Sequence, residues 1–353
     1  VEEGVGLYIH IPYCVSKCRY CAFTSSPGAP STAFALALSK ELDLLGPGRI
    51  STLHAGGGTP TRMKTGFWKE LLGRMDLSGC REAAIETNPA VLAGNGYAEL
   101  ARAGFNRMSI GVQSFNPEHL EFLGRIHTPE QAVESVKAAR AGGFANLSLD
   151  LIYGLPDQTM EQWRGGLQKA LSLRPEHISC YELTLEPGTP LGQLGRKAPE
   201  ARCAGMFMAA HEILSREGFH HYEVSNYALP GFESRHNSAY WSRKPYSGAG
   251  PSAHGFTGGT RYWNTPDTAR YISILEENRL PREGEEEITP AMAHREEVML
   301  GLRTSRGIRE SIVPRAKTEP FIRKGWLERE GGFIRPTPEG MLWADGMAAE
   351  LAE

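Results

Sequence analysis

Short apolar runs rich in β-branched residues recur along the chain, and most are followed by a stretch of helix length with apolar positions three or four apart. The runs predict strands at 7–11, 52–55, 83–86, 108–112, 147–152, 178–183 and 222–227. The stretches between them predict helices at 31–45, 66–75, 96–103, 129–141, 160–172 and 200–217. Thr128-Pro129 and Asp157-Gln158-Thr159 are good helix starts, and Gly104, Gly142 and Gly218 sit where helices should stop. Strand–helix alternation implies parallel strands joined by right-handed crossovers, hence an open doubly wound sheet or a complete or partial barrel. No GxGxxG follows the first strand, which counts against the dinucleotide-binding version. The chemistry-bearing residues fall at strand C-termini, where a barrel collects its function.

The pattern changes at 282–287, a charged stretch after Leu280-Pro281. Beyond it, 290–302 and 319–324 read as helices and 326–335 as a hairpin around Gly331-Gly332. Thr337-Pro338-Glu339-Gly340 opens a last helix. The expected division is therefore a barrel with a C-terminal extension over 1–282 and a small winged-helix-like domain over 283–353.

Composition narrows the function. With 353 residues, 41% hydrophobic and 22% charged, the chain is of ordinary globular type. Its formal charge is −3 with no basic stripe, so nucleic acid is not an expected partner, and the winged-helix-like part is expected to serve packing or a protein partner. No apolar run has the roughly 18–20 residues that span a bilayer. Val1-Glu2-Glu3-Gly4 does not read as a targeting segment. Six cysteines are too sparse for a disulfide scaffold, yet three fall in one short loop, which points to metal or redox chemistry in a reducing, cytoplasmic setting.

That loop is Cys14-Val15-Ser16-Lys17-Cys18-Arg19-Tyr20-Cys21, directly after the first strand. The C-x3-C-x2-C spacing lets three sulfurs point inward. A cubane usually takes four cysteines, so three leave one iron with an open position. A zinc ion completed by a histidine such as His10, or simple buried thiols, is the alternative. Cys80, Cys180 and Cys203 read as core or helix residues. The other strand ends carry His54-Ala55-Gly56-Gly57-Gly58-Thr59-Pro60-Thr61, Glu86-Thr87-Asn88-Pro89, Gly111-Val112-Gln113-Ser114-Phe115 with Leu123-Gly124-Arg125 soon after, and Asp150-Leu151-Ile152-Tyr153-Gly154-Leu155-Pro156. Glycines at such a turn admit close backbone approach. Singly, Gln113, Arg125 or Asp150 has a structural reading; as a set at successive strand ends they read as lining one site.

On these residues the chain resembles the radical-SAM superfamily over nearly its whole length. The resemblance implies a [4Fe–4S] cluster on Cys14, Cys18 and Cys21, with the open iron binding the amino and carboxylate groups of S-adenosylmethionine (SAM). Reductive cleavage to a 5′-deoxyadenosyl radical would follow, fed by an electron donor. It implies that Tyr20 packs on the adenine and that the Gly57-Gly58-Thr59 backbone meets the methionine ammonium. Glu86 would meet the ribose or the amino group, and Tyr8, Gln113, Arg125 and Asp150 would complete the pocket.

Within the superfamily, stretches 8–12, 56–61, 86–89, 111–115 and 150–156 are similar to the oxygen-independent coproporphyrinogen III oxidase group. The oxidase loop reads C-x3-C-x2-C-x-C, whereas Phe23 holds the fourth position here. The chain also starts almost at its first strand, where the oxidase carries an extension. Arg235-His236-Asn237-Ser238-Ala239-Tyr240-Trp241, with its H-N-x-x-Y-W pattern, is instead similar to the haem-chaperone branch, as are 248–254 and 261–264. That branch implies haem as cargo, acceptor haemoproteins as partners, and a haem surface at His236, Tyr240 and Trp241. Histidine and tyrosine can ligate haem iron, and aromatic rings offer flat apolar area. The alternative is that His236 and Asn237 make polar contacts in a barrel corner while Tyr240 and Trp241 pack the core. The anaerobic oxidase, a radical-SAM methyltransferase or cyclopropanase, and a protein whose cluster is only structural stand as rival readings. No residue is singled out as catalytic, and a homodimer or a peripheral membrane contact stays open.

Overall fold

The computed structural model describes residues 4–352. Six strands form the parallel core: β1 (Val5–Ile11), β2 (Ile50–Gly57), β3 (Glu82–Thr87), β4 (Arg107–Gln113), β5 (Asn146–Tyr153) and β6 (His177–Glu182). Each pairs in parallel with the next. Leu7, Ile9, Ile85, Met108, Ile110 and Leu149 on these strands are fully buried, and share one core with Phe34, Leu38, Trp68, Val136 and Trp163 of the crossover helices. Strands covered on both faces need near-continuous apolar sequence, which is why the runs were visible. Thr128 and Thr159 each close a capping box, with Gln131 and Gln162, at the starts of the helices Pro129–Ala141 and Met160–Ser172.

The sheet continues past both ends of the core. Tyr246–Ala249 runs parallel to β1, and His254–Thr257, Thr260–Asn264 and Arg282–Glu287 follow as antiparallel neighbours. Past β6 come Asn226–Ala228 and then His220–Glu223. Among the described residues the two edges do not pair, so the architecture is the expected partial (β/α)6-type barrel.

Two expectations change. The single strand at 222–227 is a pair of short antiparallel strands, because the buried Glu223 carboxylate accepts from Ser225 N at 3.1 Å and from the Asn226 side chain, folding the chain into a turn. The charged 282–287 stretch is an edge strand of the large sheet, and its half-exposed glutamates discourage further pairing. The expected division at 282/283 thus falls inside a strand. The short helices Arg235–Trp241 and Thr268–Glu276 had no periodic signal long enough to predict.

Beyond residue 289, helices Pro290–Gly301, Arg315–Arg323, Pro338–Met341 and Ala344–Leu351 enclose a three-stranded antiparallel sheet. Val298, Leu302, Ile308, Phe321, Leu327, Ile334 and Met347 form a core separate from the barrel's. This module is tied to the barrel by Val224 N donating to Arg303 O (2.9 Å) and Ser305 N to Tyr222 O (3.0 Å). Among the described residues no helix is long and apolar enough to cross a membrane.

Candidate functional site

The cysteine loop is pinned at its base. Tyr13–Cys14 pairs in parallel with Ser26–Pro27, and Ser26 N and Gly28 N donate to Pro12 O and Cys14 O at 3.0 Å each. Its far side is held by Arg19, whose N–H donates to Leu123 O and whose carbonyl accepts from Leu191 N, both at 3.0 Å. Gly124, at φ +73°, leaves room for that approach: a Cβ there would stand 2.9 Å from Arg19 Cγ.

All three thiols are free and line one cavity of about 450 Å3. Burial pushes the Cys21 thiol up, and the neighbouring Cys18 and Cys14 add to that. Arg125 Nη1 lies 3.3 Å from Cys18 Sγ, and Thr59 Oγ1 lies 3.6 Å from Cys14 Sγ. The donor set fits a cluster: soft thiols, close enough to feel each other's charge, with a guanidinium and a hydroxyl to stabilise thiolate. Among the described residues no three His, Cys, Asp or Glu groups converge on a position for one metal ion.

The neighbouring strand ends supply the rest of the cavity. Gly57 and Gly58 line it, and both must be glycine. A Cβ on Gly57 (φ +107°) would stand 2.6 Å from the His10 ring, and one on Gly58 2.8 Å from Tyr13 O. Glu86, Gln113, Arg125, Asp150 and Tyr20 line it too. Gln113 sits at φ +65° where the β4–β5 register shifts, a strained position of the kind that collects at binding sites. Asp150 accepts from Ser109 Oγ on both oxygens at 3.0 Å; burial first, then the like charge of Glu86, pushes its carboxyl up to about 6.

Two residues expected in the pocket stand one step behind it. Thr59 is buried and accepts from Asn88 Nδ2 at 2.8 Å. Tyr8 lies inside the barrel, its hydroxyl 2.9 Å from His10 Nδ1 and its ring stacked on His54 at 6.0 Å. Sequence reasoning passed over Asn88, which accepts from Arg125 Nη2 at 2.5 Å, and His54, whose Nε2 is 2.9 Å from Glu86 Oε1. Both lay within the quoted motifs. Tyr181 and Glu182 at the end of β6 also line the cavity, and extending the strand-end rule to the sixth strand would have found them.

The H-N-x-x-Y-W segment is the helix Arg235–Trp241, away from the cysteines. Ser234 Oγ, Arg235 N and His236 N all donate to the buried Glu82 carboxylate at 3.0–3.3 Å, which fixes its start. His236 is 1% exposed; Nδ1 meets Thr52 Oγ1 at 2.9 Å and Nε2 meets the Tyr240 hydroxyl at 2.7 Å. Burial pushes its pKa well below the usual value, keeping the ring neutral. His236 also stacks on His54, 5.3 Å between centroids, so two side chains separate this helix from Glu86 and the cavity. Trp241 faces the C-terminal module, with the Arg303 guanidinium 5.7 Å from its ring and an indole N–H that has no partner among the described residues.

Comparison with known proteins follows the same division. The Radical SAM superfamily model matches residues 8–169, and the HemN C-terminal domain model matches 288–343. The chain is 37% identical to the heme chaperone HemW of Bacillus subtilis, over 85% of this chain and 84% of that protein. It is 34% identical to the heme chaperone HemW of Mycobacterium tuberculosis, over 99% and 95% respectively. In fold it matches the coproporphyrinogen III oxidase HemN of Escherichia coli with a TM-score of 0.85 over 99% of this chain and 90% of that one; at 22% identity this likeness speaks for the fold alone.

Proposed function

This chain belongs to the radical SAM superfamily and, within it, to the HemW family, and on that premise we propose that it is a haem chaperone: it binds haem and hands it to acceptor haemoproteins. Cys14, Cys18 and Cys21 would hold the [4Fe–4S] cluster, whose open iron would supply a SAM site and, when a donor reduces it, an electron. The chain's own residues do the rest. Arg125 sets a positive charge against the Cys18 sulfur and locks the loop to Asn88 and Gly111 O. Gly57 and Gly58 keep the backbone bare beside the cysteines, and Glu86 and Asp150 bring acceptors to the same cavity.

The observation that carries this reading is the placement of the Arg235–Trp241 helix. It is anchored on Glu82 and stacked through His236 on His54, which in turn meets Glu86 at the cofactor cavity. At the fourth loop position stands Phe23, 67% exposed and unable to supply a thiolate. Both ring nitrogens of His236 are engaged, so an axial role requires release of Thr52 or Tyr240.

Anaerobic reconstitution followed by haem titration at the Soret band, with and without SAM, tests the reading. Saturable haem binding is expected, with no protoporphyrinogen formed from coproporphyrinogen III. Appearance of that product would make the protein an oxidase, and an unchanged Soret band would rule out the chaperone. Tyr240→Phe separates the ligands: it frees Nε2 and preserves binding if His236 meets the iron, and it abolishes binding if Tyr240 does.

A further inference from the structure

At the opposite end of the barrel from the cysteines lies a cleft that nothing above uses. It opens between the starts of β1 and β2 and the outer face of the Arg235–Trp241 helix, with a volume of about 690 Å3, against about 450 Å3 for the cysteine cavity. That volume is in the range of small-molecule sites.

The charge of this cleft is one-sided. Arg49, Arg81 and Arg235 line it together with Lys244, which is engaged elsewhere, and no acidic side chain among the described residues does. Arg243 and Arg261 nearby share Glu296, but these three guanidiniums enter no ion pair among the described residues. The Asp76 carboxylate, opposite Arg49 across a single β-bridge, accepts from Ser78 N (3.1 Å) and Ser78 Oγ (2.6 Å) and feels the Arg49 charge without forming an ion pair with it. Ser238 and Ser242 spend their protons on Ser234 O and Ser238 O, so anion recognition falls to the arginines. Val5, Ala239 and Pro245 make the remaining wall apolar.

The cleft is also next to His236. Thr52, which holds His236 Nδ1 at 2.9 Å, lines it, and so does Gly6. A Cβ on Gly6 would stand 3.6 Å from His236 Cε1, so only bare backbone and one hydroxyl separate the imidazole from the cleft.

We propose that this cleft takes the propionate edge of haem, with Arg49, Arg81 and Arg235 meeting the two carboxylates and the apolar wall meeting the macrocycle. The proposal rests on the haem-chaperone reading and assigns the end of the molecule at which the cargo enters. A ligand with two carboxylates on one edge of an apolar plate matches unpaired guanidiniums beside an apolar wall, and arginine's planar fork pairs with carboxylate in bidentate fashion.

The test titrates reconstituted protein with haem and with haem dimethyl ester, in which both propionates are neutral, following the Soret band. Wild type is expected to prefer haem by about tenfold, a factor that corresponds to about 1.4 kcal/mol. Arg81→Gln with Arg235→Gln is expected to erase that preference by weakening haem alone, and Arg49→Gln to reduce it. Unchanged circular-dichroism melts would show the variants folded. A double variant that keeps the preference, or a wild type that binds both forms equally, overturns the cleft and leaves the chaperone reading standing. A wild type that binds neither form overturns both.

Discussion

Glu86 and Asp150 stand at strand ends two apart in the sheet and share one cavity, yet differ in their partners. Glu86 holds His54, while Asp150 has only hydroxyl donors and is pushed up to about 6 by burial. Asp150 therefore takes a proton as pH falls through about 6 and loses its value as a charged acceptor. SAM affinity of the reconstituted protein is expected to drop several-fold between about pH 7.5 and 5.5. In Asp150→Asn it should be low and flat across that range; equal pH dependence in both proteins would remove Asp150 from the site. Arg125 invites a second test. Arg125→Gln removes the charge at Cys18 and loosens Asn88 and Gly111 O, and should lower retained iron to a minor fraction of the wild-type content. Full retention, measured by iron assay after gel filtration, would mean the loop holds without it. The cysteines were legible because a short local spacing defines them. Asn88 and His54 were not, because their roles come from residues 29 to 37 positions away.

The helix Thr32–Leu45 shows how elements are joined by a group that periodicity marks only as a polar interruption. Glu41 is completely buried on that helix and accepts from Gly250 N (2.7 Å), Asn264 Nδ2 (2.5 Å) and Tyr271 Oη (2.5 Å). One carboxylate thus ties the first crossover helix to the strand Thr260–Asn264, the helix Thr268–Glu276 and the turn after Tyr246–Ala249. Burial pushes its carboxyl from 4.5 up to about 7 against these donors. Because the folded pKa lies above the unfolded one, the folded state holds a proton that the unfolded state releases first. That contribution is whole below about 4.5 and is lost as pH rises through about 7, a change of about 3 kcal/mol. Thermal melts of the wild type should show this decline, and Glu41→Gln should flatten it. A variant whose melts follow the wild-type slope would assign the decline to other groups. The main strands and helices were readable because their periods are intrinsic; the helix Arg235–Trp241 is seven residues long and held by Glu82, far from it in sequence.

Across the whole molecule, the C-terminal module is joined to the barrel at Glu296. It accepts from Arg243 Nε at 2.9 Å, near the end of the H-N-x-x-Y-W helix, and from Arg261 on the strand next to the sheet's edge. Glu296→Ala strands the partly buried Arg243 guanidinium and leaves Arg261 only Glu286, and is expected to cost about 1 kcal/mol. The expected sign is faster limited proteolysis around residues 282–290, and an unchanged cleavage pattern would show that the backbone bonds at Tyr222 and Val224 suffice. The sequence by itself determined the strand–helix alternation, the three-cysteine loop and the family, since each rests on local period or short spacing, while the unpaired sheet edges decided that the barrel is partial. Tertiary structure alone decided that Glu82 anchors the Arg235–Trp241 helix, that His54 links His236 to Glu86, and that three unpaired arginines share a cleft. The physical reason is that these pairings join side chains from distant segments, and only the crossings of the barrel bring those segments together.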